Sequence, residues 1–271
     1  MRLSPLALRW VIILAVLALW EVLPRAGLVP TLFLPPISAT VEAAIRDSGE
    51  YGSNLLVTLY EVAVAMLFAC GGGILAGALI GGFSTMRRLL LPLLSSLYAV
   101  PLVILYPLFT AWLGIGSQSK IAFAAIYGFF PTMLGTAAGI QTIDPQLLIA
   151  ARSMGATMTQ QVSRVIIPAS IPTVLTGLRI GGALVIVGVV VSEMLTSSAG
   201  IGYLVSRYRT VLDSPHVFAA ILLVLFLAVL FDGAMRGLER WTATWRSAGR
   251  HVAGPSAGEP QRFAPAAAPN V

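Results

Sequence analysis

Residues 144–179 read DPQLLIAARSMGATMTQQVSRVIIPASIPTVLTGLR, a polar interruption between two apolar runs long enough to cross a bilayer. Arg152 and Arg164 lie inside it among Ser, Thr and Gln. Two short helices are expected around Gly155. The first covers residues 146–154, after Pro145, which a first helical turn tolerates. The second covers residues 157–166 and stops before Pro168, because the residue preceding a proline disfavours the helical region. Gly155 is where the backbone turns at least expense. A short polar helix–turn–helix on a membrane face has no solute to hold, so it is suited to docking against a soluble partner.

The composition around this stretch is that of a membrane protein. Of 271 residues, 57% are hydrophobic and 10% charged, and the mean hydropathy is +0.88. A soluble domain carries about 25% charged residues. Long apolar runs without alternation imply an all-α integral membrane protein. Six transmembrane helices are expected at about 8–23, 55–83, 89–113, 120–140, 171–195 and 217–236. They form one membrane domain over residues 1–248, with a cytoplasmic loop at about 144–170. The Pro-, Ala-, Gly- and Ser-rich tail, 249–271, is expected to be disordered. The net charge of +6 fits basic loops flanking a membrane rather than nucleic acid. A single Cys70 and two separated histidines, His216 and His251, indicate neither a disulfide framework nor a metal site. No Gly-rich phosphate loop ending in Lys-Ser/Thr is present, so ATP hydrolysis is not expected of this chain. No nucleophile–base pair suggests an intramembrane hydrolase. Catalytic residues and cofactors are therefore not expected.

Arg2 and Arg9 precede the first apolar run, and Glu21, Pro24 and Arg25 follow it in place of a small-residue cleavage site, which favours a retained membrane helix. The polar interval after it suits a short surface helix, with Ser38 as N-cap and Val41, Ala44 and Ile45 on one face. In the second span Gly73, Gly77 and Gly81 form a small-residue ridge for close helix contact. Glu61 near its outer end reads as an interfacial carboxylate, and Arg87 and Arg88 as a cytoplasmic turn. Pro92, Pro101 and Pro107 bend the third span. They either line a path, with Tyr98 and Tyr106 as polar tips, or only shape packing. Glu193 closes the Gly-rich fifth span and reads either as a gate or path group or as an interfacial cap. With six spans, Arg2, Arg9, Arg87, Arg88, Arg152, Arg164, Arg236, Arg240, Arg246, Arg250 and Arg262 share one side, and Arg25, Arg46, Lys120, Arg207 and Arg209 the other. That bias places both termini in the cytoplasm.

Ala150-Ala151, three residues, Gly155, nine residues and Val165-x-Ile167-Pro168 follow the spacing of the "EAA" loop of ABC-importer permease subunits. The likeness continues through Pro172, Gly177, Leu178 and Arg179, and it resembles no other class as well. One departure is Ile149, which stands where that family has Glu and removes the group for any polar contact made there. The resemblance implies that Ala150, Ala151, Arg152, Gly155, Ala156 and Pro168 belong to a coupling helix seated in a groove of a separate ABC ATPase. It implies two ATPase copies, a second copy of the permease as a homodimer, and an extracytoplasmic substrate-binding protein, periplasmic or lipid-anchored. It places the chain in the bacterial cytoplasmic (inner) membrane as a multi-pass protein working by alternating access; Tyr98, Tyr106 and Glu193 stay path candidates, each beside its packing or interfacial alternative. Residues 28–40 and 193–204 resemble the nitrate, sulfonate and taurine permease group, which implies a small anion as solute. The alternative from another class is an ATP-independent secondary transporter or channel. Buried ionisable residues or an inverted repeat would favour it. No repeat is visible, and the acids fall near span ends.

Overall fold

Small residues decide how the helices meet in the computed structural model, which describes residues 4–250. The core is formed by α3 (Ser48–Gly82), α6 (Ser117–Gln141) and α9 (Ile167–Leu195). Gly73 lies against Thr132 and Gly77 against Thr136, so α3 and α6 run in the same direction. Gly135 lies against Gly177 and Gly188 against Ala124, so α9 runs opposite to α6. A Cβ at Gly135 would sit 2.6 Å from the Gly177 Cα, and one at Gly73 2.8 Å from the Thr132 Cβ, contacts too close for any side chain. Close backbone approach of this kind drives helix association where lipid removes the hydrophobic incentive. The Thr132 and Thr136 hydroxyls donate to the carbonyls of Gly128 and Thr132 at 2.9 and 2.8 Å, so their burial leaves no polar group unmet. Val62, Ala65, Ala69, Ala124, Val185 and Val189 fill the space between the three helices.

The parallel α3 and α6 require one crossing between them. It is supplied by α4 (Ser84–Tyr98), a 3-10 turn (Leu102–Leu105) and α5 (Tyr106–Leu113). The expected third span, 89–113, is therefore two helices bent by 82°, beginning at Ser84. Pro101 removes the amide that would carry the helix through. Arg87 and Arg88, read as a turn, lie inside α4, because the chain reverses at Phe83 alone. Counting this bent pair, six helical segments among the described residues are long and apolar enough to cross a membrane.

The remaining crossings are α1 (Pro5–Arg25) and α11 (Ser214–Arg250), with α2 (Ile37–Arg46) and α10 (Ile201–Thr210) as short helices at one end. Trp20 on α1 donates to the Pro35 carbonyl at 2.9 Å, and its ring meets Phe218 of α11 edge-on at 6.0 Å. The α1 C-terminus, the N-termini of α3, α6 and α11 and the α9 C-terminus thus gather at one end. At the other end lie α7 (Pro145–Ser153) and α8 (Met158–Gln161). The second helix of the 144–179 stretch does not stop before Pro168. A π-turn over Val162–Ile166 joins α8 to α9, with the Ile167 amide donating to the Val162 carbonyl. The wider turn admits Pro168 in the first turn of α9, so Met158–Leu195 is one helix of 38 residues rather than a span beginning at 171. Helix α11 continues to Arg250, and the rest of the expected 249–271 tail lies outside the described residues.

Candidate functional site

The loop of residues 144–166 is held by its own hydrogen bonds. Asp144 caps α7 by accepting the Gln146 amide at 2.9 Å, with Pro145 in the first turn. Gly155 has φ +76°, and its amide and that of Ala156 return to the carbonyls of Arg152 and Ala151 at 2.9 and 3.0 Å. This double bond is the Schellman closure of a helix C-terminus, for which a left-handed residue is needed. Thr157 then opens α8 with a capping box. The Gln160 side chain accepts the Thr157 amide at 2.9 Å, while the Thr157 hydroxyl accepts the Gln160 amide. Gln161, 7% exposed, ties the two helices together. Its oxygen accepts from Arg152 Nε at 3.2 Å and its nitrogen donates to the Ala156 carbonyl at 2.9 Å.

These bonds divide the sequence candidates. Ala151 is buried, and Arg152, Gly155 and Ala156 shape the turn, while Ala150 and Pro168 are exposed. No atom lies within 4 Å of a Cβ placed on Gly155, so within this chain the glycine is required by conformation and not by space. Among the exposed polar residues of the tip, three large apolar side chains stand out: Met154 is 81% exposed, Met158 70% and Ile149 61%. Sequence reading passed over these methionines and the Gln161 clamp. The Thr157-x-x-Gln160 spacing was the available signal for the cap.

At the opposite end, charged groups are buried. Glu61, 0% exposed, and Lys120, 3% exposed, pair at 2.5 Å across α3 and α6. Ser117 also donates to Glu61 at 2.7 Å, and Lys120 donates to Ser197 at 3.0 Å. Glu61 is thus no interfacial carboxylate and Lys120 no loop cation, because each finds its counter-ion inside the bundle. Glu193, 1% exposed, accepts from the Thr58 hydroxyl and the Gly202 amide, both at 2.8 Å. Its carboxylate closes the N-terminus of α10 from within. Asn54 accepts the Gly200 amide at 2.8 Å, completing the seam between α3 and the 196–200 turn. Further out, Glu50 pairs with Arg207 and accepts from Tyr208 at 2.5 Å. Burial, with Glu50 beside it, pushes the Tyr208 phenol up to about 12, so it remains a donor.

Tyr106 and Tyr98 part company. Tyr106 is 1% exposed, with its ring against Phe123 and its hydroxyl 3.5 Å from the Thr196 carbonyl, so it belongs to the packing. Tyr98 ends α4, 37% exposed, stacked on Phe130 at 6.1 Å.

The profile of the binding-protein-dependent transport system inner membrane component family matches residues 71–244. The chain belongs to this family. A Bacillus subtilis permease named for aliphatic sulfonates transport is 34% identical over 236 residues, 86% of this chain and 85% of its own. The taurine transport system permease protein of Escherichia coli is 30% identical, covering 84% and 86%. The formylaminopyrimidine transport permease protein of Halalkalibacterium halodurans is 30% identical, covering 86% and 93%. Among solved structures, an inward-facing methionine ABC transporter aligns with TM-score 0.63 at 20% identity, over 73% of this chain and 98% of that chain, a likeness of fold. The permease is thus a non-catalytic, multi-pass inner-membrane subunit of an ABC importer, whose ATPase is a separate subunit.

Proposed function

We propose that two copies of this permease pair with two ATPase subunits and carry a small organic sulfonate delivered by an extracytoplasmic binding protein. The observation that carries the reading is the loop of residues 144–166. Its backbone is fixed internally, and three large apolar side chains, Met154, Met158 and Ile149, stand exposed on it. A preorganised apolar tip on a polar loop suits insertion into a protein groove, and methionine adapts to such surfaces. Ala151, Arg152, Gly155 and Ala156 hold the shape, and Ile149, Met154 and Met158 make the contact.

One chain offers one tip, so a closed two-fold pair supplies two. The uncovered apolar faces of α4 and α5 are available for that pairing, since α4 buries no residue within its own chain. The loop end carries Arg87, Arg88, Arg152, Arg164, Arg236 and Arg240, which supports a cytoplasmic loop and cytoplasmic termini. The sulfonate class is supported by the names of the Bacillus subtilis and Escherichia coli relatives.

The docking is tested with Met154→Glu and Met158→Glu together, leaving Gly155 and its left-handed turn intact. The chain should insert and melt as the wild type does, while the ATPase recovered with it falls about tenfold or more, the effect of roughly 1.4 kcal/mol. Full recovery of ATPase with the double variant would overturn the docking assignment.

A further inference from the structure

The bend in the third crossing lies halfway across the membrane domain. The cavity beside it, about 240 Å³, is lined by Tyr98, Pro101 and Leu102 together with Tyr127 and Leu184, which sit near the middles of α6 and α9. At the bend Ala99, Val100 and Pro101 are all exposed. The amides of Ala99 and Val100 return to the carbonyls of Ser96 and Leu97, both at 3.2 Å, and the Pro101 carbonyl accepts from Ile104 at 3.1 Å. No main-chain amide among the described residues is seen to reach the carbonyls of Ala99 and Val100, which lie between the two helices. In hydrocarbon each such carbonyl would be strongly unfavourable, and irregular backbone at this depth is tolerated only against protein or water. The bend therefore cannot face lipid.

Two further observations point to water. Neither the Tyr98 nor the Tyr127 hydroxyl has a hydrogen-bond partner among the described residues, although both rings are fixed, on Phe130 and against Phe123. A second cavity of about 570 Å³ shares Tyr98 and Leu184 with the first and extends to Thr176, Arg179 and Asp232. Its two charged side chains, Arg179 and Asp232, pair with each other at 2.5 Å. The lining around the tyrosines thus offers hydroxyls and carbonyls but no unpaired charge.

We propose that this bend faces the aqueous translocation path and that Tyr98 and Tyr127 are its mid-depth contact, donating hydroxyl hydrogen bonds to the oxygens of a passing organic oxyanion. Two neutral donors without a counter-ion hold an oxyanion briefly, and a path must bind weakly enough to release. The inference rests on the transport reading above and adds the place and chemistry of the contact.

The test uses the full complex with its ATPase, in a Cys70→Ala background, with Val100→Cys at the bend and Leu14→Cys on α1, 61% exposed, as a lipid-facing control. The probes are the methanethiosulfonates carrying a sulfonatoethyl or a trimethylammonioethyl group. Position 100 should react with both and position 14 with neither. Adding Tyr98→Phe and Tyr127→Phe, which keep the rings, should slow the sulfonate reagent about tenfold relative to the cationic one, the effect of one hydrogen bond to a charged group. An unreactive position 100, or an unchanged ratio in the Phe variant, would overturn the proposal. If ATPase and ATP-dependent activity remain in that case, only this site fails. An unsubstituted chain that recovers no ATPase would instead count against the transport reading.

Discussion

Lys120→Met isolates the buried ion pair. The substitution conserves most of the volume and removes the ammonium 2.5 Å from Glu61. Glu61 is then left at 0% exposure with the Ser117 hydroxyl as its remaining partner, and its Oε2 already has no hydrogen bond. Breaking a buried pair from one side costs about 3–5 kcal/mol, because the other charge stays desolvated. On the scale for chains of this size that is a fall of roughly 10 °C or more in Tm. Removing both charges, with Glu61→Gln and Lys120→Met, should restore most of it, since replacing such a pair by uncharged groups is often neutral. The assay is thermal unfolding of the purified permease, followed with a thiol-reactive fluorogenic dye that reports exposure of Cys70, the only cysteine of this chain. A single variant within about 1 kcal/mol of the wild type, or a double variant as unstable as the single, would refute the reasoning, because the coupling energy of the cycle would then be absent.

Gly200→Ala should destabilise the chain by about 1–3 kcal/mol, since φ is +106° and the new Cβ would stand 2.7 Å from Glu193 Oε2. Thermal unfolding checks it, and Ser198→Ala, two residues away on the exposed side of the turn, should leave Tm unchanged. Single cysteines at the exposed positions 49, 198 and 155, again without Cys70, should react with an impermeant thiol reagent in intact cells at 49 and 198 only. Labelling at 155 but not 49 would reverse the proposed orientation.

The sequence carried the helical spans well, because length and hydropathy act locally, and the Gly ridge of α3 announced a close contact without naming Thr132 and Thr136 as its partners. Three features needed the third dimension. The pairing of Glu61 with Lys120 joins residues far apart in sequence, so each looked like a charge at a span end. The π-turn before Pro168 is invisible to a rule that ends helices ahead of proline, because a wider turn satisfies the same steric demand. Glu193 lies beside Gly202 only because the 196–200 turn folds back, with Gly200 in a left-handed conformation. The loop of residues 144–166 was legible for a different reason. Asp144, Pro145, Gly155, Thr157 and Gln160 each act within a few residues, so their spacing alone defines the turn.

The uninterrupted helix from Met158 to Leu195 has a mechanical consequence. At 1.5 Å per residue its 38 residues make a rod of about 57 Å. No break separates the loop helix from the span at Pro168, so the tip and the buried end lie on one helix. A tilt of about 5° at the tip displaces the far end by about 5 Å, roughly one helical turn. That far end holds Glu193, whose two hydrogen bonds to Thr58 and Gly202 must then travel with it or break. On the proposed docking, the tip and the buried Glu193 carboxylate are the two ends of one helical connection across the membrane domain.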